Sequence, residues 1–200
     1  MYQDDKEITI NKQDILCLLS EIDKKLAQRN LMGKLVICGG AAMALLYDAR
    51  DLTYDIDAEF LPKENIQDFK CIIEEITRER NLIDNHWCND DFLMMGDFCS
   101  NLKSILFQSY SNLDVYVMTS ESLLAMKLIS ARPMSHDMTD AIVLMKELGI
   151  QSLDEVNEIF NAHFTYKMHQ DEIRKVKGFV IEAFEEYQRQ LGTSIENCKS

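Results

Sequence analysis

Two aspartates flanking a single isoleucine, Asp55-Ile56-Asp57, constrain this chain more than any other feature. They stand in an apolar run that reads as a β-strand reaching to about Leu61, with Pro62 ending it. Side chains alternate faces along a strand, so Asp55 and Asp57 project together while Ile56 points into a core. Two carboxylates side by side repel each other unless something positive sits between them. A divalent metal supplies that charge, and oxygen-only ligands point to Mg²⁺ or Mn²⁺ rather than Zn²⁺. Mg²⁺ held by one or two carboxylates fills its other positions with water and substrate phosphates.

A glycine pair precedes the aspartates, with fourteen residues between Gly40 and Asp55. Leu35-Val36-Ile37-Cys38 suits a short buried strand, Gly39-Gly40 ends it, and Ala41 to Tyr47 is a good helix former. A strand–Gly-Gly–helix junction exposes backbone N–H groups at a helix start, where phosphate binds favourably, and no side chain at the glycines keeps a ligand away.

Together these elements resemble the nucleotidyltransferase fold of the DNA polymerase β superfamily, marked by a Gly-Gly or Gly-Ser turn and then a DxD strand. More narrowly, the chain resembles small bacterial nucleotidyltransferases related to the AbiEii abortive-infection toxins. Arg50, Thr53, Asp55, Ile56 and Asp57 match an R, T-x-D-I-D pattern, and Trp87-Cys88-Asn89-Asp90 is similar to a W-x-N-D/E element. Leu123 to Leu128 resembles an LLAMKL helix, and Arg132, Asp137 and Asp140 resemble an R…D-x-x-D motif. The resemblance runs over roughly residues 10 to 165 in the right order.

It implies an α+β fold: a small mixed sheet flanked by helices as a core over residues 1–118, with a helical subdomain over 119–200 packed on it. It also implies transfer of a nucleoside monophosphate from an NTP, with Asp55 and Asp57 holding Mg²⁺ (or Mn²⁺) and Gly39 and Gly40 cradling phosphates. Arg50, Thr53 and Lys127 are the further nucleotide-binding candidates. Asn89, Asp90, Arg132, Asp137 and Asp140 are expected to support the site. The acceptor it suggests is a tRNA end or a protein side chain, within a toxin–antitoxin system. The alternative is a catalytically silent module of the same fold that binds a nucleotide or a protein.

Asp114 lies in the second of two expected strands, Ser104–Tyr110 and Leu113–Met118, joined by a turn at Ser111-Asn112. This hairpin is expected to extend the sheet next to the DxD strand. Asp114 is then either a third metal ligand, as in the wider superfamily, or a polar residue at a strand edge. Lys127 sits in an apolar helix running from Thr119 or Ser120 to Ser130, where it either snorkels to the surface or meets an anion. Arg132-Pro133 breaks that helix. Asp137 begins the next, which ends at Gly149, and is either its N-cap or part of the site; Asp140, one turn on, is placed to pair with Lys127 or Arg132.

The remaining pattern is helical. Asn11 is a good N-cap for a helix to about Arg29 with Ile15, Leu18, Leu19, Ile22 and Leu26 buried. Ile66 to Arg80 reads as a surface helix turning Phe69, Ile72, Ile73 and Ile76 inward, and two amphipathic helices follow over Leu153–Phe164 and Ile173–Gln190. Trp87 is either a core anchor or a base-stacking ring, with burial the commoner fate of such a side chain.

The net charge of −13 argues against indiscriminate binding to DNA or to an anionic membrane. A structured RNA would need a local basic patch, for which Arg174, Lys175 and Lys177 are the best candidates, or simply a solvated helix face. No stretch has the apolar length to cross a bilayer. The six cysteines contain no C-x-x-C pair, which suits buried free thiols in the cytoplasm. The histidines His136, His163 and His169 lack the spacing of a metal site.

Overall fold

A computed structural model describes residues 9–47, 51–82, 84–90, 99–132, 135–165 and 167–197. Arg50, Pro133 and Cys198 lie outside the described residues. Among those described are seven α-helices and a five-stranded mixed sheet, a nucleotidyltransferase-like α+β fold. The chain divides into two compact units, Met1–Met94 with Ser104–Met118, and Met95–Lys103 with Thr119–Ser200.

In the first unit, helix α1 (Lys12–Gln28) starts at a capping box. Asn11 accepts from the Asp14 N–H, and the Asp14 carboxylate accepts from the Asn11 N–H. The expected stripe Ile15, Leu18, Leu19, Ile22 and Leu26 is buried. Strand β1 (Gly33–Ile37) leads into α2 (Gly39–Leu46), so the glycine pair forms the first turn of that helix instead of preceding it. Strand β2 (Ile56–Leu61) is followed by α3 (Ile66–Arg80), whose buried side includes Thr77 besides the four expected apolar residues. Strands β3 (Cys88–Asn89), β4 (Ser104–Ser109) and β5 (Leu113–Met118) complete the sheet.

The strand order is β3-β2-β1-β5-β4. The β4–β5 hairpin therefore joins β1, in parallel through β5, and does not lie beside the DxD strand as expected. Strand β2 instead pairs with β1 antiparallel and with β3 parallel. One face carries Leu35, Ile37, Ile56, Ala58, Phe60, Val115 and Val117, all fully or almost fully buried. Phe60 stacks on Phe69 of α3 with ring centroids 5.1 Å apart, and Phe69 and Leu26 fill the space beside Gly33. The alternate positions, Asp57, Glu59, Asp114 and Tyr116 among them, are half-buried.

The second unit contains α4 (Ser120–Ser130), α5 (Asp137–Glu147), α6 (Leu153–His163) and α7 (Gln170–Asn197). Thr119 and Ser152 cap α4 and α6 through their side chains. Gly149 closes α5 in the left-handed conformation, and the Tyr187 hydroxyl of α7 donates to the Ile150 carbonyl at 3.0 Å. Residues 99–103 belong to this unit, not to the sheet-bearing one. Ser100 N–H donates to the His163 carbonyl at 2.7 Å, and Lys103 N–H donates to Ser122 Oγ at 2.8 Å. Among the described residues no helix is long and apolar enough to cross a membrane.

Candidate active site

Two backbone junctions bring the glycine pair and the aspartates together. The β1–β2 pairing sets Ile37 opposite Ala58, and one residue further the Cys38 N–H donates to the Asp57 carbonyl at 2.9 Å. Asp57 therefore lies beside the start of α2. Gly39 has φ +63°, and a Cβ built on it would come within 2.5 Å of Asp57 Oδ2. Glycine is required there twice over, for the left-handed backbone and for the approach of the carboxylate. The positive end of α2 favours negative charge at this spot. Gly40 is buried in the first turn.

Asp55 immediately precedes β2 and is half-buried like Asp57, with Ile56 fully buried between them. Thr53 is 3% exposed and pairs with Ile10 through both backbone groups, while its hydroxyl donates to the Asp55 carbonyl at 3.4 Å. In this structure the Thr53 hydroxyl thus serves the chain leading into Asp55.

Strand β3 supplies the other flank. Asn89 pairs with Asp57 in register, and its amide donates to Asp55 Oδ2 at 3.4 Å and to the His86 carbonyl at 3.1 Å. Trp87 is 1% exposed, and its indole N–H donates to Thr77 Oγ1 at 2.9 Å, so it is the core anchor and not a stacking platform. Its carbonyl accepts from the Ile56 N–H at 2.8 Å. Thr77 was missed in the sequence, although it continues the buried side of α3 one residue past Ile76, where a hydroxyl has to find a partner. Burial pushes the Cys88 thiol well above its usual range, and the charges of Asp57, Asp55 and Asp90 push it further. Asp90, half-buried, follows Asn89 directly in the chain.

Asp114 does not join them. It sits opposite Lys34 on β1, four rows from the level of Cys38 and Asp57, which is about 13 Å along the strands. It accepts a hydrogen bond from Ser109 Oγ at 2.7 Å, the behaviour of a strand polar residue. Among the described residues no group of three or more His, Cys, Asp or Glu is arranged to hold a metal ion. Two carboxylates remain, an oxygen-only set that fits an ion such as Mg²⁺ whose shell is completed by water and phosphates.

The second motif group assembles inside the helical unit. Lys127 is 5% exposed, with Nζ 3.1 Å from Asp137 Oδ1 and 2.9 Å from Asp140 Oδ2. Arg132 adds Nε to Asp137 Oδ2 at 3.0 Å and Nη2 to Oδ1 at 3.1 Å, a bidentate clamp. Lys127 therefore does not snorkel: of the two anions expected for it, phosphate or a carboxylate, its ammonium meets carboxylates, those of Asp137 and Asp140. Asp137 is not the N-cap of α5, a position His136 takes, but a member of this cluster, and Asp140 pairs with Lys127. The two buried carboxylates are matched by the buried Lys127 and the exposed Arg132, so the charges balance, as buried charges require. Burial would raise the pKa of Asp137, but Arg132 and Lys127 outweigh it and hold the carboxyl at about 2.

Two outcomes follow from these contacts. Gly39→Ala should cost more in thermal unfolding than Gly149→Ala. Both glycines have positive φ, worth about 1–2 kcal/mol to an alanine, but nothing lies within 4 Å of a Cβ on Gly149. Asp137, with its native pKa depressed, contributes roughly 2 kcal/mol of stability that is present above about pH 4 and lost as the pH falls through about 2. Asp137→Asn should unfold at a lower temperature at neutral pH and show a flatter stability profile between those limits.

Comparison with curated proteins and with solved structures returned no match. One family model matches residues 13–191, nearly the whole chain, spanning the glycine pair, the aspartates and the buried cluster of the helical unit. On that match the chain belongs to the family described as nucleotidyltransferases of unknown function, DUF6036.

Proposed function

We propose that this protein moves a nucleoside monophosphate from an NTP to an acceptor hydroxyl. The acceptor oxygen gives up its proton to solvent and bonds to the α-phosphorus as the bond from that phosphorus to the α–β bridging oxygen breaks, and pyrophosphate leaves. The observation that carries this reading is the contact of Asp57 with Gly39 at the start of α2, with the half-buried Asp55 two residues before it. It puts an acidic pair and a phosphate-favouring helix start in one place. Mg²⁺ or Mn²⁺ held by Asp55 and Asp57 would neutralise charge on the triphosphate during in-line attack. Backbone N–H groups of Gly39 and Gly40 would hold phosphate oxygens. No phosphate contact is assigned to Lys127, Thr53 or Asp114.

The acceptor is proposed from the AbiEii-like resemblance: a tRNA end or a protein side chain, in the cytoplasm, with an antitoxin as regulatory partner. Arg174, Lys175 and Lys177 are exposed on α7, and Arg174 already pairs with Asp171 at 3.3 Å, so a solvated face accounts for them equally well. The displaced Asp114 favours a second reading, a catalytically silent module of this fold that binds a nucleotide or a protein without transfer.

Titration calorimetry with each of the four NTPs, with and without Mg²⁺, separates binding from its absence. At least one NTP should bind only with Mg²⁺, and Asp55→Ala with Asp57→Ala should weaken it more than about tenfold, a loss of about 1.4 kcal/mol or more. Equal binding by wild type and double variant would overturn the assignment of the pair.

A further inference from the structure

We infer that Asn89 is a positioning residue for Asp55, setting the carboxylate that receives the divalent cation; this rests on the reading above. Asp55 stands just before β2, and its carboxylate meets the Asn89 side-chain amide carried on β3. Asn89 is built to restrain it. A single amide nitrogen has two hydrogens, and here one goes to Asp55 Oδ2 and the other to the His86 carbonyl. Both acceptors fix the amide with its nitrogen toward Asp55, because the flipped amide would set oxygen against two acceptors.

The donor is itself held from behind. Thr77 on α3 accepts from the Trp87 indole, the Trp87 carbonyl accepts from Ile56, and the His86 N–H donates to Asp84 Oδ1 at 2.8 Å. Asn89 is thereby carried on a short segment anchored at a buried ring and paired to the DxD strand. An amide suits this place because it donates to a carboxylate without adding charge. A lysine would neutralise the pair and compete with the cation, and an acid would deepen the repulsion. Groups that orient metal ligands in this way commonly change metal affinity by 10–100-fold when removed. The 3.4 Å length of this bond puts the expectation at the lower end.

The test is Mn²⁺ affinity, read by electron paramagnetic resonance with a non-hydrolysable NTP analogue present, for wild type, Asn89→Ala and Asn89→Gln. Asn89→Ala should bind Mn²⁺ about tenfold more weakly, and Asn89→Gln, which keeps the amide, should recover part of the loss. In an Asp55→Ala background, where Asp57 remains, Asn89→Ala should change affinity by less than about twofold, since the amide acts through Asp55. Unchanged affinity in Asn89→Ala, or the same loss repeated without Asp55, would overturn the inference while leaving the transferase reading intact. Wild type that binds no Mn²⁺ with the analogue would overturn both.

Discussion

Two like charges two residues apart, Asp57 in β2 and Asp55 just before it, are the constraint on which the first unit depends. Residues i and i+2 lie roughly 6.6 Å apart along a strand, so at an effective dielectric of about 20 their repulsion is roughly 2–3 kcal/mol. A fold keeps such a pair only where the backbone holds it firmly. Here β1 pairs antiparallel with β2, the first turn of α2 begins one residue past that pairing, and Asp57 rests against a residue with no side chain. On the other flank, β3 brings an amide to Asp55. On the proposed reading, a cation held by these carboxylates would offset the repulsion, so the energetic cost and the proposed chemistry share a location.

The second unit uses charge in the opposite way. Lys127, Arg132, Asp137 and Asp140 form a closed account, two of each sign, with the lysine and both aspartates nearly inaccessible to solvent. Such a cluster adds little net stability over an apolar core, yet removing one member leaves the others uncompensated. Its role in this structure is to tie the end of α4 to the first turn of α5. The two motif groups thus do different physical work, although in the sequence both look like scattered acids and bases.

What was legible in the sequence was local. The spacing of Ile15, Leu18, Leu19, Ile22 and Leu26 revealed the inner side of α1, and the same holds for α3, since burial of a helix face is periodic in the chain itself. Alternation around Ile56 told which way the aspartates project. Strand order was not legible: β5 follows β4 in a hairpin whatever its outer neighbour, and only tertiary packing places it on β1 and sets Asp114 four rows from Asp57. The partner of Lys127 was legible in part, because Asp140 was within reach of both basic residues. That Asp137 would be shared by Lys127 and Arg132 depends on how α4 meets α5. Asn89 carries no charge and no periodicity, so its contact with Asp55 emerged only once β3 was seen beside β2.

The measurement that bears most directly on the central claim is the fate of phosphorus label during turnover. The protein is incubated with Mg²⁺ and NTPs labelled at the α- or the γ-phosphate, in a lysate fraction rich in RNA and protein acceptors. Attack at the α-phosphorus predicts that α-label passes to a macromolecule while γ-label leaves as pyrophosphate, and that replacing Asp55 and Asp57 abolishes the transfer. Transfer of γ-label instead, or α-label transfer that survives loss of both aspartates, would contradict the account.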